Sequence, residues 1–191
     1  MDDKTRLYIY AFLSRIFTEE LDDKALRDLK SNEALLETIG EETARWFKEN
    51  DEATLKEALN VDYNSLFVIN NHPIESAVMD SKNEILVGLQ NPVMQFYFSH
   101  GYDLNLEGAK VYVPDHAAIE FGFMQSMISS GDKTTQAEFL HKHLLTWIVP
   151  FLVAIRPMVD TPFYRELCDF IVEFLLADYS QLVEETGEVN A

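Results

Sequence analysis

Two carboxylates and an imidazole lie close together at residues 115 to 120, and their chemistry is the most distinctive in the chain. Asp115 and His116 follow Pro114, and Glu120 comes four residues after His116. Pro114-Asp115 is typical of a helix start, because a short carboxylate accepts hydrogen bonds from the free N–H groups of the first turn. His116 and Glu120 would then be neighbours on one helix face.

These side chains support several kinds of site. His116 and Glu120 could form an acid–base pair, or bind a metal with His141 or His143 as third ligand, as in a metal-dependent hydrolase. Together with Asp115 they could bind arginine, or they could simply cap a helix. Rings in a His-x-His pair point about 200° apart on a helix, which disfavours joint ligation. The sequence also lacks metalloprotease, phosphate-loop and dinucleotide motifs, so we predict that the protein is not an enzyme.

Three aromatic residues are candidates for an apolar groove. Tyr63 and Phe67 are four residues apart, so they share a helix face that either lines a groove or belongs to the core. Trp147 stands four residues after His143, and core packing against the preceding helix is the favoured interpretation. Cys168 lies in an apolar helical run and is predicted to be a small core residue rather than a nucleophile.

Helical periodicity dominates the elements that must position these residues. Ala117, Phe121, Met124 and Ile128 recur as one apolar stripe on the helix after His116. Other helices are predicted over 3–21, 23–36, 41–50, 51–59, 62–67, 81–90, 91–99 and 163–182, with mostly loop over 105–112. The sequence predicts an all-α protein, with one helical domain over 1–183 and a flexible acidic tail over 184–191.

The composition and net charge limit the kinds of partner and location that the protein can have. At 191 residues with 47% hydrophobic content, the chain can bury a substantial core. Its net charge of -18 argues against nucleic acid as a partner and disfavours anionic membranes. The charge favours either a basic partner or simple solubility. The longest apolar run is too short to span a bilayer, the N-terminus differs from a secretory signal, and there is a single cysteine. We therefore predict a cytoplasmic protein without stable membrane insertion.

Several segments resemble the TorD/DmsD family of chaperones for molybdenum-cofactor redox enzymes. The family carries Asp-His at a helix start and then Phe-Leu-x-x-His-Leu-x-x-Trp, matched here by Asp115-His116 and by Phe139 to Trp147. Tyr112 and Val113 stand where many members have Glu and Pro. Weaker similarities lie in family order over 6–17, 62–76 and 162–179.

The resemblance implies a helical bundle of the TorD type that recognises the twin-arginine signal peptide of a molybdoenzyme precursor. Such a chaperone binds the apo-enzyme until its cofactor is inserted, and it needs no cofactor of its own. Asp115 and Glu120 would bind the two arginines with His116 orienting the site, while Tyr63, Phe67 and Trp147 would receive the apolar segment. The alternative is a helical adaptor that binds only the mature apo-enzyme, as NarJ-like relatives do. The sequence leaves formation of a homodimer open.

Overall fold

The computed structural model describes residues 1–79, 85–86, 88–102, 104 and 111–187. Within these ranges the secondary structure is helical, with one isolated antiparallel bridge between Ile74 and His116 and no strand. The all-α prediction is therefore confirmed. The predictions for 81–84, 105–110 and the end of the tail, 188–191, fall outside the described residues.

The chain divides into two compact units. The first comprises Met1–Thr18, Pro73–Phe151 and Leu175–Ala191, and the second comprises Glu19–His72 and Leu152–Phe174. Helices α1 (Asp3–Thr18), α6 (Glu75–Met79), α7 (Pro92–Ser99), α8 (Ala117–Ser130) and α9 (Lys133–Phe139) belong to the first unit. Helices α2 (Asp23–Ser31), α3 (Glu33–Ile39), α4 (Glu41–Glu49) and α5 (Glu52–Tyr63) belong to the second. The remaining helices, α10 (Leu145–Ile155) and α11 (Pro162–Thr186), contribute residues to both.

Side chains at several helix ends explain where the elements begin. Asn91 accepts hydrogen bonds from the amides of Val93 and Met94, and Pro92 is the first helical residue, so α7 begins where the sequence predicts. Asn32 interrupts the helix predicted over 23–36, because it ends α2 and its side chain caps α3. Conversely, α11 continues to Thr186, four residues beyond the predicted end.

The first unit is built around α8, which packs along α1. The predicted apolar stripe of α8 is buried, as Ala117, Phe121, Met124 and Ile128 are each at most 5% exposed. Phe121 contacts the rings of Tyr10 and Phe17 on α1, at centroid distances of 6.3 and 5.6 Å. The stripe therefore forms the core of this unit, as its periodicity predicts.

A buried ion pair ties the ends of the chain together in the same unit. Arg6 is 1% exposed and donates to both carboxylate oxygens of Asp178 at 2.5 and 3.1 Å. Its Nη2 also donates to Gln136 at 2.7 Å, its Nη1 donates to Asp3 at 2.8 Å, and the Tyr10 hydroxyl donates to Asp178 at 2.8 Å. All three guanidinium nitrogens and both carboxylate oxygens are thus hydrogen-bonded, which offsets the cost of burying the two charges.

Two helices of the second unit are capped near their first residues by carboxylates that lie far away in the sequence. Glu166 accepts from the amides of Glu42 and Thr43 at 3.2 and 2.7 Å, at the start of α4. Asp62 accepts from the amide and hydroxyl of Thr161 at 2.9 and 2.6 Å, just before α11. These contacts hold the helices together and satisfy N–H groups that have no partner within their own helix.

Candidate functional site

Two chain segments of the first unit pair at the residues that the sequence singles out. The amide of Ala117 donates to the carbonyl of Pro73, and the amide of Glu75 donates to the carbonyl of Asp115, both at 2.9 Å. Ile74 and His116 face each other in the resulting antiparallel bridge. Helices α6 and α8 therefore begin side by side.

Asp115 does not cap its own helix. Its Oδ2 accepts from the amide of Ser76 at 2.9 Å, so its carboxylate caps α6 rather than α8. The sequence-based prediction was wrong here because a cap 39 residues away leaves no local pattern. Asp115 is fully buried, and its Oδ1 has no hydrogen-bond partner among the described residues.

His116 is the residue that caps α8. Its Nδ1 accepts from the amide of Ala118 at 3.2 Å, and the helix begins at Ala117, so the cap lies one residue later than predicted. An imidazole that accepts at Nδ1 in its neutral form carries its hydrogen on Nε2. His116 is partly exposed, whereas Asp115 and Glu120 are fully buried.

Glu120 lies in the core rather than in solvent beside His116. It is fully buried, and the indole Nε1–H of Trp147 donates to its Oε2 at 3.0 Å. Its Oε1 has no hydrogen-bond partner among the described residues. Trp147 is itself fully buried, as the core interpretation predicts, and its indole holds this carboxyl in place.

Glu75, the first residue of α6, is a member of the site that the sequence analysis missed. Both of its carboxylate oxygens lie 3.1 Å from Nδ1 of His143, which donates to them. His143 belongs to a short π-helix, Leu140–Leu144, and its ring packs against Phe96 and Phe139 at 5.4 and 5.1 Å. The sequence gives only a weak indication of Glu75, because an acidic residue in the first turn is common on any surface helix.

The three carboxyls influence one another electrostatically. Burial raises the pKa of Glu120 well above its usual 4.5, and the negative charges of Glu75 and Asp115 raise it further. The hydrogen bond from Trp147 acts in the opposite direction. Glu120 therefore keeps its proton to higher pH than an exposed glutamate, and Oε1 is the oxygen available to carry it.

Tyr97 adds an unpaired hydroxyl to this group. It is 1% exposed, and its OH has no hydrogen-bond partner in the described part of the chain. Burial raises the pKa of Tyr97 well above 10, and Glu120, Glu75 and Asp115 contribute through their charges. We call Glu75, Tyr97, Asp115, Glu120, His143 and Trp147 the carboxyl cluster.

No lysine or arginine side chain pairs with the carboxyl cluster in the part of the chain that the structure describes. Lysine and arginine ion pairs there involve other carboxylates, and Glu75 is paired with His143 alone. The same ranges contain no group of three His, Cys, Asp or Glu side chains arranged for a metal. His141 and His143 contact different partners, Tyr179 and Glu75, as their helical spacing predicts. The arrangement suits an external cation that carries hydrogen-bond donors.

Comparison with known proteins matches residues 19–153 to the family described as "Nitrate reductase delta subunit". The chain belongs to this family. It is also 25% identical to "Chaperone protein TorD" of Shewanella pealeana, over 96% of this chain and 92% of that protein. A protein of the same name from Histophilus somni is 20% identical over 92% and 97% of the two chains.

Membership in this TorD- and NarJ-like family of molybdoenzyme-maturation chaperones confirms the resemblance found in the sequence. The protein is a chaperone and not an enzyme, as the sequence predicts. The acid–base and hydrolase interpretations of His116 and Glu120 are therefore set aside.

The remaining predicted site residues lie in the second unit of the chaperone. Tyr63 and Phe67 are 6% and 5% exposed, and their rings contact each other at 5.4 Å. Phe67 also contacts Tyr164 at 5.8 Å. Their helix changes at Asn64 from α5 to a π-helix, Asn64–Asn70. Both rings are packed in the core of their unit.

One helical stretch among the described residues, Lys133–Met158, is long and apolar enough to cross a membrane by length and composition. Half of its most apolar window is buried inside the protein, and a core helix of a soluble protein meets the same criterion. Glu120 and Glu75 form hydrogen bonds with this stretch, through Trp147 and His143. Its polar contacts are those of a core helix that supports the carboxyl cluster.

Proposed function

We propose that this chaperone binds the twin-arginine signal peptide of a molybdoenzyme precursor and retains the apo-enzyme in the cytoplasm until its cofactor is inserted. The observation that carries the proposal is the carboxyl cluster, whose three acidic side chains have no lysine or arginine partner among the described residues. A buried group of like charges is stabilised either by protonation or by a bound cation.

A guanidinium fits this cluster better than other cations do. It is planar and always charged, and its five N–H donors can serve several oxygen acceptors at once. Asp115 Oδ1 and Glu120 Oε1 are buried oxygens without partners in the described ranges. His116 caps the adjacent helix, and in this proposal it orients the entrance for the arginine pair.

The apolar part of a leader would need apolar surface next to the carboxylates. Met79 is 57% exposed and follows Glu75 by one helical turn, so the two side chains share a face of α6. Tyr112 is 93% exposed and precedes Asp115 by three residues. These residues can contact a leader at the surface. The assignment of Tyr63 and Phe67 to the apolar segment stays a prediction from the sequence, and both rings are packed in the core of the second unit.

Long-range electrostatics would assist the encounter. The chain carries 33 acidic and 15 basic residues, so a leader with two arginines is attracted before it docks. Part of the affinity should be lost at high salt, because ions screen exposed charges over about 8 Å at physiological ionic strength.

Titration calorimetry with a synthetic twin-arginine leader tests the proposal, with a Lys-Lys leader as the matched control. We expect the first to bind and the second to bind weakly, because lysine cannot form the same bidentate contacts. Full-length precursor and precursor without its leader should be compared in the same way. Equal affinity for both forms of the precursor would contradict leader recognition and support an adaptor for the mature enzyme.

A further inference from the structure

The members of the carboxyl cluster differ in how far a ligand can reach them. Asp115 and Glu120 are completely buried, and each already accepts one hydrogen bond from the protein. The Glu75 side chain keeps 12% of its surface exposed, and its partner His143 keeps 7%. A cation that approaches from solvent therefore meets Glu75 before it can meet Asp115 or Glu120.

We propose that Glu75 is the specificity-determining residue of the site: its carboxylate receives the guanidinium, while His143 holds that carboxylate in position. This inference rests on the proposed function, since it assigns the arginine contact within the same site. It shifts the primary contact from Asp115 and Glu120, which the sequence favours, to a residue that only the fold brings there.

The geometry around Glu75 supports the assignment. Nδ1 of His143 lies at the same distance, 3.1 Å, from both Glu75 oxygens, so one N–H is shared between them. A carboxylate offers about four lone-pair positions, and the shared N–H uses the two that point inward, so each oxygen keeps one outward lone pair that can accept a guanidinium N–H. The ring of His143 is fixed between Phe96 and Phe139, which restricts the directions in which Glu75 can move.

Unpaired buried groups behind Glu75 are a second, independent indication of a ligand. Tyr97 OH, Asp115 Oδ1 and Glu120 Oε1 have no hydrogen-bond partner among the described residues, although all three residues are at most 1% exposed. Buried polar atoms are normally paired, so a group of three is exceptional. Asp115 accepts from the amide next to Glu75, and the charges of Glu75 and Asp115 act on both Glu120 and Tyr97, so these groups lie close together. N–H donors of a guanidinium held by Glu75 could satisfy the two carboxyl oxygens.

The residues around Glu75 and Glu120 from neighbouring elements are consistent with this role. α6 contributes Glu75, α7 contributes Tyr97, the π-helix contributes His143 and α10 contributes Trp147. On α1, which packs against α8, the charged Arg6 is already bonded to Asp178. The described surroundings thus leave Glu75 without a lysine or arginine partner.

A pair of substitutions tests the inference. Glu75→Gln removes the charge and keeps the shape, whereas Glu184→Gln removes the same charge from the exposed surface of α11 in the same unit. We expect Glu75→Gln to weaken binding of the twin-arginine leader at least tenfold and to abolish the preference over the Lys-Lys leader. Glu184→Gln should bind like the wild type. Wild-type affinity in a folded Glu75→Gln variant would overturn the inference.

A measurement on the wild-type protein avoids any folding defect of the variant. The imidazole ¹⁵N resonance of His143 reports on its hydrogen bond to Glu75, and it should shift when the twin-arginine leader saturates the protein. Saturation without such a shift would refute the role of Glu75 while leaving leader binding established. If neither leader binds the wild type, the proposed function itself fails, and this assignment fails with it.

Discussion

Replacing Glu120 by glutamine should stabilise the protein at neutral pH. Glu120 is fully buried, and its raised pKa means that folding favours the protonated form. Glutamine resembles that neutral form, because it carries no charge and its carbonyl can still accept from Trp147. The substitution therefore removes the cost of keeping a carboxyl protonated and should leave the packing of α8 unchanged.

The sign and the upper limit of the effect follow from proton linkage. Glu120 in the unfolded chain loses its proton near pH 4.5, whereas the native state retains it to higher pH. Between these two pKa values the native state binds more protons, so stability falls as pH rises, by about 1.4 kcal/mol per pH unit. The loss accumulates from pH 4.5 upward and amounts to a few kcal/mol at most by pH 7, and Glu120→Gln should abolish it.

Urea unfolding followed by far-UV circular dichroism at several values between pH 5 and pH 7.5 measures this difference. The free energy of unfolding of Glu120→Gln should exceed that of the wild type by an amount that grows with pH. Glu184→Gln serves as control, since it removes an exposed charge and should give a curve parallel to the wild type. An offset that is independent of pH, or a variant less stable than the wild type at pH 7, would refute a protonated Glu120.

Two further predictions concern stability and reactivity. Arg6→Met should cost roughly 3–5 kcal/mol in urea unfolding, because it leaves Asp178 buried without its ion pair. The double variant Arg6→Met/Asp178→Leu should recover most of this loss, and a cost below about 1 kcal/mol for the single variant would contradict the account. Burial raises the pKa of the Cys168 thiol to about 12, so iodoacetamide at pH 8 should modify the native protein far more slowly than the urea-unfolded chain. Equal rates would mean that the thiol is accessible in the native state.

The residues of the carboxyl cluster were only partly predictable. Asp115, His116 and Glu120 stand out because they lie within six positions of one another. Glu75 lies 68 residues from His143, and its neighbour Ser76 lies 39 residues from Asp115, so no spacing rule connects Glu75 to the site. The burial of Asp115 and Glu120 was also unexpected, because isolated carboxyls usually lie at the surface.

The sequence by itself determined the helical class, the apolar stripe from Ala117 to Ile128, the start of α7 at Asn91-Pro92 and the chaperone family. These features depend on helical periodicity, on capping residues next to their own helix and on family motifs in a fixed order. All three are local patterns that can be read from the sequence. Only the tertiary structure decided that Asp115 caps α6, that Trp147 holds Glu120 and that His143 holds Glu75. These contacts join residues 27 to 68 positions apart, and a hydrogen bond across such a separation exists only once the helices have packed.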